Sequence, residues 1–396
     1  MPNTSAHSVL EVFLVFLKLG MTSFGGPVAH IGYFRAEVVE RRKWLDEQSY
    51  SDLVALCQFL PGPASSKVGI GLGLRRAGWL GGLAAWTGFT APSALALILF
   101  AYGVRQWAHF ATSGALHGLK VVAVAVVAQA VWGMAKTLCP DRTRAGLAIG
   151  AALVALLLPT AWGQGLAIIL GAIVGRLLIT PTGTPAAVGE GYGVSKRAGA
   201  ALLLVFVGLL AGLPILAAKS DIPMLNAISA FYRAGAMVFG GGHVVLPLLQ
   251  ASVVQPGWID NDIFLAGYGA AQAVPGPLFT FAAFLGAAMQ SPPGDWLSGV
   301  VMLIAIFAPG FLLVVGAIPF WESLRHHRAM RQATAGINSA VVGVLVAALY
   351  DPVWTSAIHT HVDLALALAA FGLLMFARLS PVLVVVLAAV TGALLR

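Results

Sequence analysis

The chain has 396 residues, 59% of them hydrophobic and only 10% charged, with 23 Lys and Arg against 15 Asp and Glu. A soluble chain carries about 25% charged residues, so a water-soluble enzyme of this length is excluded, and no basic patch interleaved with aromatics supports nucleic-acid binding. A mean hydropathy of +0.88, carried in continuous rather than alternating apolar runs, points to an all-α polytopic membrane protein and not to an outer-membrane barrel.

Apolar segments predicted to cross or enter the bilayer lie at 10–33, 50–74, 79–104, 115–138, 145–160 and 162–179. Met1 to Val9 lacks the basic start of a cleaved leader, so the first run is expected to remain as a membrane helix. Thr180 to Arg197, with Pro181 and Pro185, reads as a linker, and 198–218 as a further span. Further candidates follow at 225–249, 263–290, 296–319, 333–350, 361–377 and 380–395. The expectation is about 10–13 membrane segments, some broken by Gly and Pro and therefore re-entrant. Cys57 and Cys139 lie in or beside apolar runs without metal-ligand spacing and read as packing residues. No metal or cofactor is expected.

The two sides of the linker echo each other. Lys18-x-Gly20-(x3)-Phe24-Gly25-Gly26 is answered by Arg233-x-Gly235-(x3)-Phe239-Gly240-Gly241. Trp44-Leu45-Asp46 is matched by Trp258-Ile259-Asp260, and Pro61-Gly62-Pro63 by Pro275-Gly276-Pro277. Gln58 and Gln272 each stand three residues before that turn, and Ala91-Pro92 has its partner in Ala308-Pro309. Matched Trp, Asp, Pro and basic residues indicate an internal duplication, the usual plan of secondary transporters. The expected division is a first repeat at 1–179, a linker with a connecting helix at 180–224, and a second repeat at 225–396. Six segments, one connector and six segments make the repeats inverted. One loop objects: Arg35, Arg41, Arg42 and Lys43 would then face outward, unless 50–74 is a re-entrant hairpin.

The run Gly25-Gly26-(x12)-Val39-(x4)-Trp44-x-Asp46, followed by Pro61-Gly62-Pro63, resembles the signature of the chromate ion transporter family. Phe239-Gly240-Gly241-Gly242-His243-Val244-Val245-Leu246-Pro247 resembles the second signature of its long, two-domain members. One departure is that three residues rather than four separate Val254 from Trp258. The resemblance implies export of chromate across the bacterial inner membrane, driven by the proton-motive force. Sulfate, a tetrahedral dianion of similar size, is the alternative cargo. Beyond chromate or sulfate, protons and the lipid bilayer, the optional partner is a second copy of the chain.

A tetrahedral oxyanion must be recognised by charge and hydrogen-bond donors. Gly25, Gly26, Gly240 and Gly241 let the backbone approach a ligand, and Pro61, Gly62 and Pro63, with Pro275, Gly276 and Pro277, break helices whose N-termini favour anions. The plainer reading of both features is a kink and a close helix contact. Ser65, Ser66 and Thr280 follow the turns and add hydroxyls. Lys18, Lys67 and Arg233 are cations within apolar runs, costly there unless paired or wet, with snorkelling as the alternative for the two lysines. Lys120 reads as interfacial. For proton coupling the candidates are Glu11, Asp52, Asp46, Asp260 and His243, with helix capping the rival role for Asp46 and Asp260. An enzyme acting on lipid phosphates would need an acid cluster, and none is expected beside the His326-His327 pair or beside His359 and His361.

Overall fold

The computed structural model describes residues 6–23, 26–106, 114–158, 161–180, 192–239, 244–321 and 327–395. These residues are helical apart from turns and connections. Five helices among them are long and apolar enough to cross a membrane alone, and the others are the short or broken segments expected.

The run 10–33 is two helices rather than one. Helix α1 (Ala6–Thr22) stops at Ser23, and α2 (Gly26–Arg35) turns back and continues into a π-helical turn, Ala36–Arg41. Arg42, just beyond it, pairs with Glu11 of α1 at 3.0 Å, so the two helices form a hairpin that reverses between Ser23 and Gly26. Helix α3 (Glu47–Phe59) and α4 (Ala64–Gln106) follow. The backbone of α4 leaves helical geometry at Ala77 and Gly78, dividing it into arms 64–76 and 79–106. The arms fold onto each other so closely that a Cβ on Gly73 would lie 2.1 Å from Gly81 O.

The first arm also runs back along α3, where a Cβ on Gly71 would meet Leu53 Cδ1 at 2.6 Å. The 13 residues of α3 reach about 20 Å, short of the roughly 30 Å hydrocarbon core. Segment 50–74 is thus a second re-entrant hairpin, with Pro61-Gly62-Pro63 at its tip. Its base closes on the first hairpin: Arg76 pairs with Glu11 at 3.0 Å, and Arg42 and Arg76 both stack on Trp44. This arrangement answers the charge objection, because Arg35, Arg41 and Arg42 share one end of the bundle with Arg75 and Arg76.

The second half repeats the plan. Helices α9 (Pro223–Met237) and α10 (Val245–Val253) stand on either side of the second Gly-Gly sequence. Helices α11 (Asn261–Ala273) and α12 (Phe281–Ala288) flank Pro275-Gly276-Pro277 and pack antiparallel, with Phe264 and Phe281 edge to face at 5.1 Å. The base closes through Gln290 N–H to Trp258 O at 2.8 Å. Helix α13 (Trp296–Ala317) then leaves this base as the second arm of α4 leaves the other.

These two long helices cross antiparallel. Trp296 N–H donates to Tyr102 Oη at 2.9 Å, Gly299 lies against Ile98, and Trp86 meets Phe307 at 5.7 Å. Since each starts from the base of its own half, the two bases sit at opposite ends and the halves are inverted. The helix that reverses them is α8 (Lys196–Lys219), whose 24 residues extend about 36 Å.

The remaining helices interlock the halves. Helix α5 (Gly114–Leu138) packs on the C-terminal pair α15 (His361–Met375) and α16 (Pro381–Leu395), where a Cβ on Gly118 would stand 2.1 Å from Ala388 O. Reciprocally, α14 (Arg328–Ala348) packs on α6 (Arg142–Leu157) and α7 (Ala161–Leu178), with Gly336 pressed against Gly171 and Gly175. Small residues at these crossings permit contact without an aqueous hydrophobic effect.

Candidate functional site

The two Pro-Gly-Pro tips meet inside the bundle, each on the first hairpin of the other half. Gly62 N–H donates to Val238 O at 2.6 Å, and Gly276 N–H donates to Ser23 O at 3.0 Å. Both glycines hold positive φ, +98° and +101°, a region L side chains rarely enter. Space is also short: a Cβ on Gly62 would stand 3.2 Å from Gly310 Cα, and one on Gly276 would stand 2.9 Å from Ser93 Oγ and 3.2 Å from Phe89 O. Val238 and Ser23 hold matched places before Phe239 and Phe24, as Gly310 and Ser93 do after Pro309 and Pro92. The crossing is therefore symmetric. The sequence reading offers these turns' N–H groups to an anion; in this conformation both glycine N–H groups are given to carbonyl oxygens instead.

Lys67 lies one turn into α4, wholly buried. Its Nζ donates to Leu60 O and, at 3.0 Å, to Pro61 O. Two of its three donors thus serve carbonyls left over at the C-terminus of α3. The stem lies beside Gly310, across the boundary between the halves. Among the described residues no carboxylate pairs with it. A cation at this depth is expensive, and here only carbonyl dipoles offset its charge. An oxyanion would complete the arrangement.

Beside it stands a residue the sequence reading missed. His30, on α2, is 1% exposed. Its Nδ1 lies 3.3 Å from Ser65 Oγ, its ring meets Phe89 edge-on at 5.3 Å, and it engages the Ser23 backbone. Three neighbouring hydroxyls, on Ser23, Ser66 and Thr90, are buried without a hydrogen-bond partner. In the second half the corresponding hydroxyl, Thr280 Oγ1, is satisfied by Pro277 O at 2.7 Å. The signal that could have found His30 was its position four residues past Gly26, where a polar side chain early in α2 must sit at the depth of the break.

The other expected residues divide. Lys18 is exposed on the outer face of α1 in line with Leu10, Leu14 and Met21, which is the snorkelling arrangement. Its counterpart Arg233 is half-buried, with Nε buried and lacking a hydrogen bond. The structure thus brings Lys67, Ser65 and Ser66 together at the tips and leaves Lys18 facing outward. Gly26 opens α2 at φ +79°, and a Cβ there would have nothing within 4 Å. Gly25, Gly240, Gly241 and His243 lie outside the described residues, as does the side chain of Asp52.

Asp46 and Asp260 cap α3 and α11, accepting from Ser49 N–H and Asp262 N–H. The Ser49 N–H holds the Asp46 carboxyl below its usual range. Glu11 is engaged by Arg42 and Arg76, and Lys120 pairs with Asp262 at 2.9 Å. Beside His359 stands a single acid: Asp363 accepts from the His359 backbone and meets His117 at 2.6 Å. No group of three or more metal-ligating side chains occurs among the described residues. A separate cleft lined by Gln164, Pro247, Gln250 and Asp351 carries no cation.

A family model described as chromate transporter matches residues 10–176 and again 225–393. The chain is 28% identical to a chromate transport protein of Pseudomonas aeruginosa, over 86% of this chain and 80% of that one. It is 26% identical to a chromate transport protein of Cupriavidus metallidurans, over 98% and 93%, and 29% identical to a probable chromate transport protein of Synechococcus elongatus, over 87% and 84%. No solved structure matches it.

Proposed function

Because the chain belongs to the chromate transporter family, we propose that it is a secondary transporter that exports chromate across the bacterial inner membrane, driven by the proton-motive force. The observation that carries this reading is Lys67, a wholly buried cation at the crossing of the hairpin tips, held by carbonyls and lacking a carboxylate. Inverted halves supply two related conformations, one open to each face, around such a shared site. Arg35, Arg41, Arg42, Arg75 and Arg76 gather at one end, which the positive-inside rule assigns to the cytoplasm. The working division is 1–179, a connector at 180–224 carrying α8, and 225–396.

Voltage makes export favourable without further coupling. A dianion leaving a negative-inside cell gains roughly 4.6 kcal/mol per 100 mV, twice the single-charge value. The test is labelled chromate uptake into inverted vesicles under a lumen-positive voltage and, separately, under a pH gradient at zero voltage. Uptake with voltage alone identifies charge movement as the drive, whereas uptake with the pH gradient alone identifies proton exchange. Abolition by equimolar sulfate would transfer the reading to sulfate. No uptake under either gradient would overturn it.

A further inference from the structure

We propose that the cleft between α6, α7, α10 and α14 binds an alkali-metal cation, held by Gln164, Asp351 and the ends of three helices. The cleft has a volume of about 90 Å³, room for a small ion and several waters. Its walls come from both halves: Ala155, Leu156 and Gln164 from the first, and Pro247, Gln250 and Asp351 from the second. It therefore lies on the boundary between the repeats, beside the base of the second half rather than at the hairpin tips.

Three helices end here. Helix α6 contributes its last turn through Ala155 and Leu156, α10 through Gln250, and α14 through Ala347 and Ala348. The C-terminus of a helix carries a partial negative charge and carbonyls with no partner inside the helix. Beyond α14 the backbone leaves helical geometry at Asp351, which adds a carboxylate to the same cleft. Asp351 Oδ1 accepts from Thr355 Oγ1 at 3.2 Å. Among the described residues no Lys, Arg or His pairs with Asp351, and none lines the cleft. The arginines of the first half's base gather at the opposite end of the bundle. The potential in the cleft is thus negative.

Gln164 gives an independent sign of a ligand. Its side chain is buried, with 9% exposure. Nε2 donates to Pro247 O at 3.3 Å, which fixes the orientation of the amide. Oε1 is then left buried without a hydrogen-bond partner, where buried polar atoms normally have one. Amide, carbonyl and carboxylate oxygens are the ligands of a hard cation. With a single full negative charge the set balances one positive charge, whereas divalent sites draw on several carboxylates. No group of three or more metal-ligating side chains occurs among the described residues. Helix C-termini hold sodium ions in other secondary transporters by the same electrostatics. Because the ligands come from both halves, an ion here favours the arrangement in which α6 and α7 stand against α10 and α14.

The test follows thermal unfolding of the purified full-length protein at constant ionic strength, with choline replaced stepwise by sodium or potassium. The melting temperature should rise saturably with at least one of these metal ions. Asp351→Asn, at an exposed position, should weaken that response by about tenfold or more. Gln164→Met keeps the length of the side chain, removes the oxygen, and should weaken it as well. No rise over choline in the wild type would overturn the proposal and leave the cleft to water. A response unchanged in both variants would place the ion elsewhere and overturn it equally. Stabilisation by calcium or magnesium, with none by sodium or potassium, would refute the monovalent assignment. None of these readouts involves chromate, so the transport reading stands or falls separately.

Discussion

Both inner hairpins end in the same turn, with φ of +98° at Gly62 and +101° at Gly276, and each lends its glycine N–H to a carbonyl of the other half. Beyond the turn they part. The first continues Ala64-Ser65-Ser66-Lys67, the second Leu278-Phe279-Thr280-Phe281. In the second hairpin Phe264, Tyr268, Phe281 and Phe284 interleave within a large apolar core. In the first, the matching space holds an ammonium, an imidazole and hydroxyls without partners. Duplicated backbone geometry therefore supports divergent chemistry: the second tip is packed to hold shape, and the first is furnished to hold charge.

The widest break in this comparison would be one of orientation. Single cysteines beside Trp44 and beside Trp258, in a background lacking Cys57 and Cys139, should label from opposite sides of the membrane. Same-side labelling would show that the halves are parallel and remove the symmetry on which the crossing rests. The next largest effect is expected at Lys67. Lys67→Ala should abolish chromate flux while the protein remains inserted, whereas Phe281→Ala, its counterpart in the second half, should lower folded yield through a lost core contact, by about 3–5 kcal/mol. Equal flux per folded molecule in the two variants would erase the contrast between the tips.

The glycines give a smaller and more discriminating test. Gly62→Ala and Gly276→Ala both incur backbone strain, about 1–3 kcal/mol, read as reduced thermal stability of the purified protein. Their clashes differ, because Gly62 faces backbone at Gly310 whereas Gly276 faces the Ser93 hydroxyl. Adding Ser93→Ala should restore part of the loss in Gly276→Ala and none in Gly62→Ala. Rescue of both, or of neither, would show that the tips are not seated as described.

The smallest effect belongs to the charged base of the first half. Glu11→Gln frees Arg42 and Arg76 from their shared partner at a half-exposed site, a change worth less than about 1 kcal/mol, visible as a slight drop in melting temperature. Nearby, burial pushes the Glu37 carboxyl up, but hydrogen bonds from Arg42 and Arg41 more than reverse this and leave it below its usual range. Its contribution is therefore present above about pH 4.3 and lost as the pH falls through the folded value.

Much of this plan was legible in the residues. Matched Trp, Asp and Pro-Gly-Pro positions revealed the duplication, and Pro flanking Gly marked the tips, because few other residues can end one helix and begin the next within three positions. The Asp caps were readable for the same local reason. What a linear pattern does not encode is which tip rests on which break, since Gly62 and Val238 meet only after the halves invert. The outward aim of Lys18 was readable in principle, its spacing from Leu14 and Met21 placing it on their face. His30 was passed over because its repeat counterpart, Val245, is apolar, and a comparison tuned to shared residues overlooks what one half alone possesses.

The interlocking of α5 with α15 and α16 bears on how the chain is made. Helix α5 leaves the ribosome early, but its partners α15 and α16 emerge only after the helices of the second half that precede them. At about 5–20 residues per second, it waits tens of seconds in the bilayer with Gly114 and Gly118 uncovered. The N-terminal half therefore cannot complete its own packing while it is being translated, and its assembly is deferred until α15 and α16 have entered the bilayer. A premature stop just before α15 would injure the half already built as much as the one left unfinished.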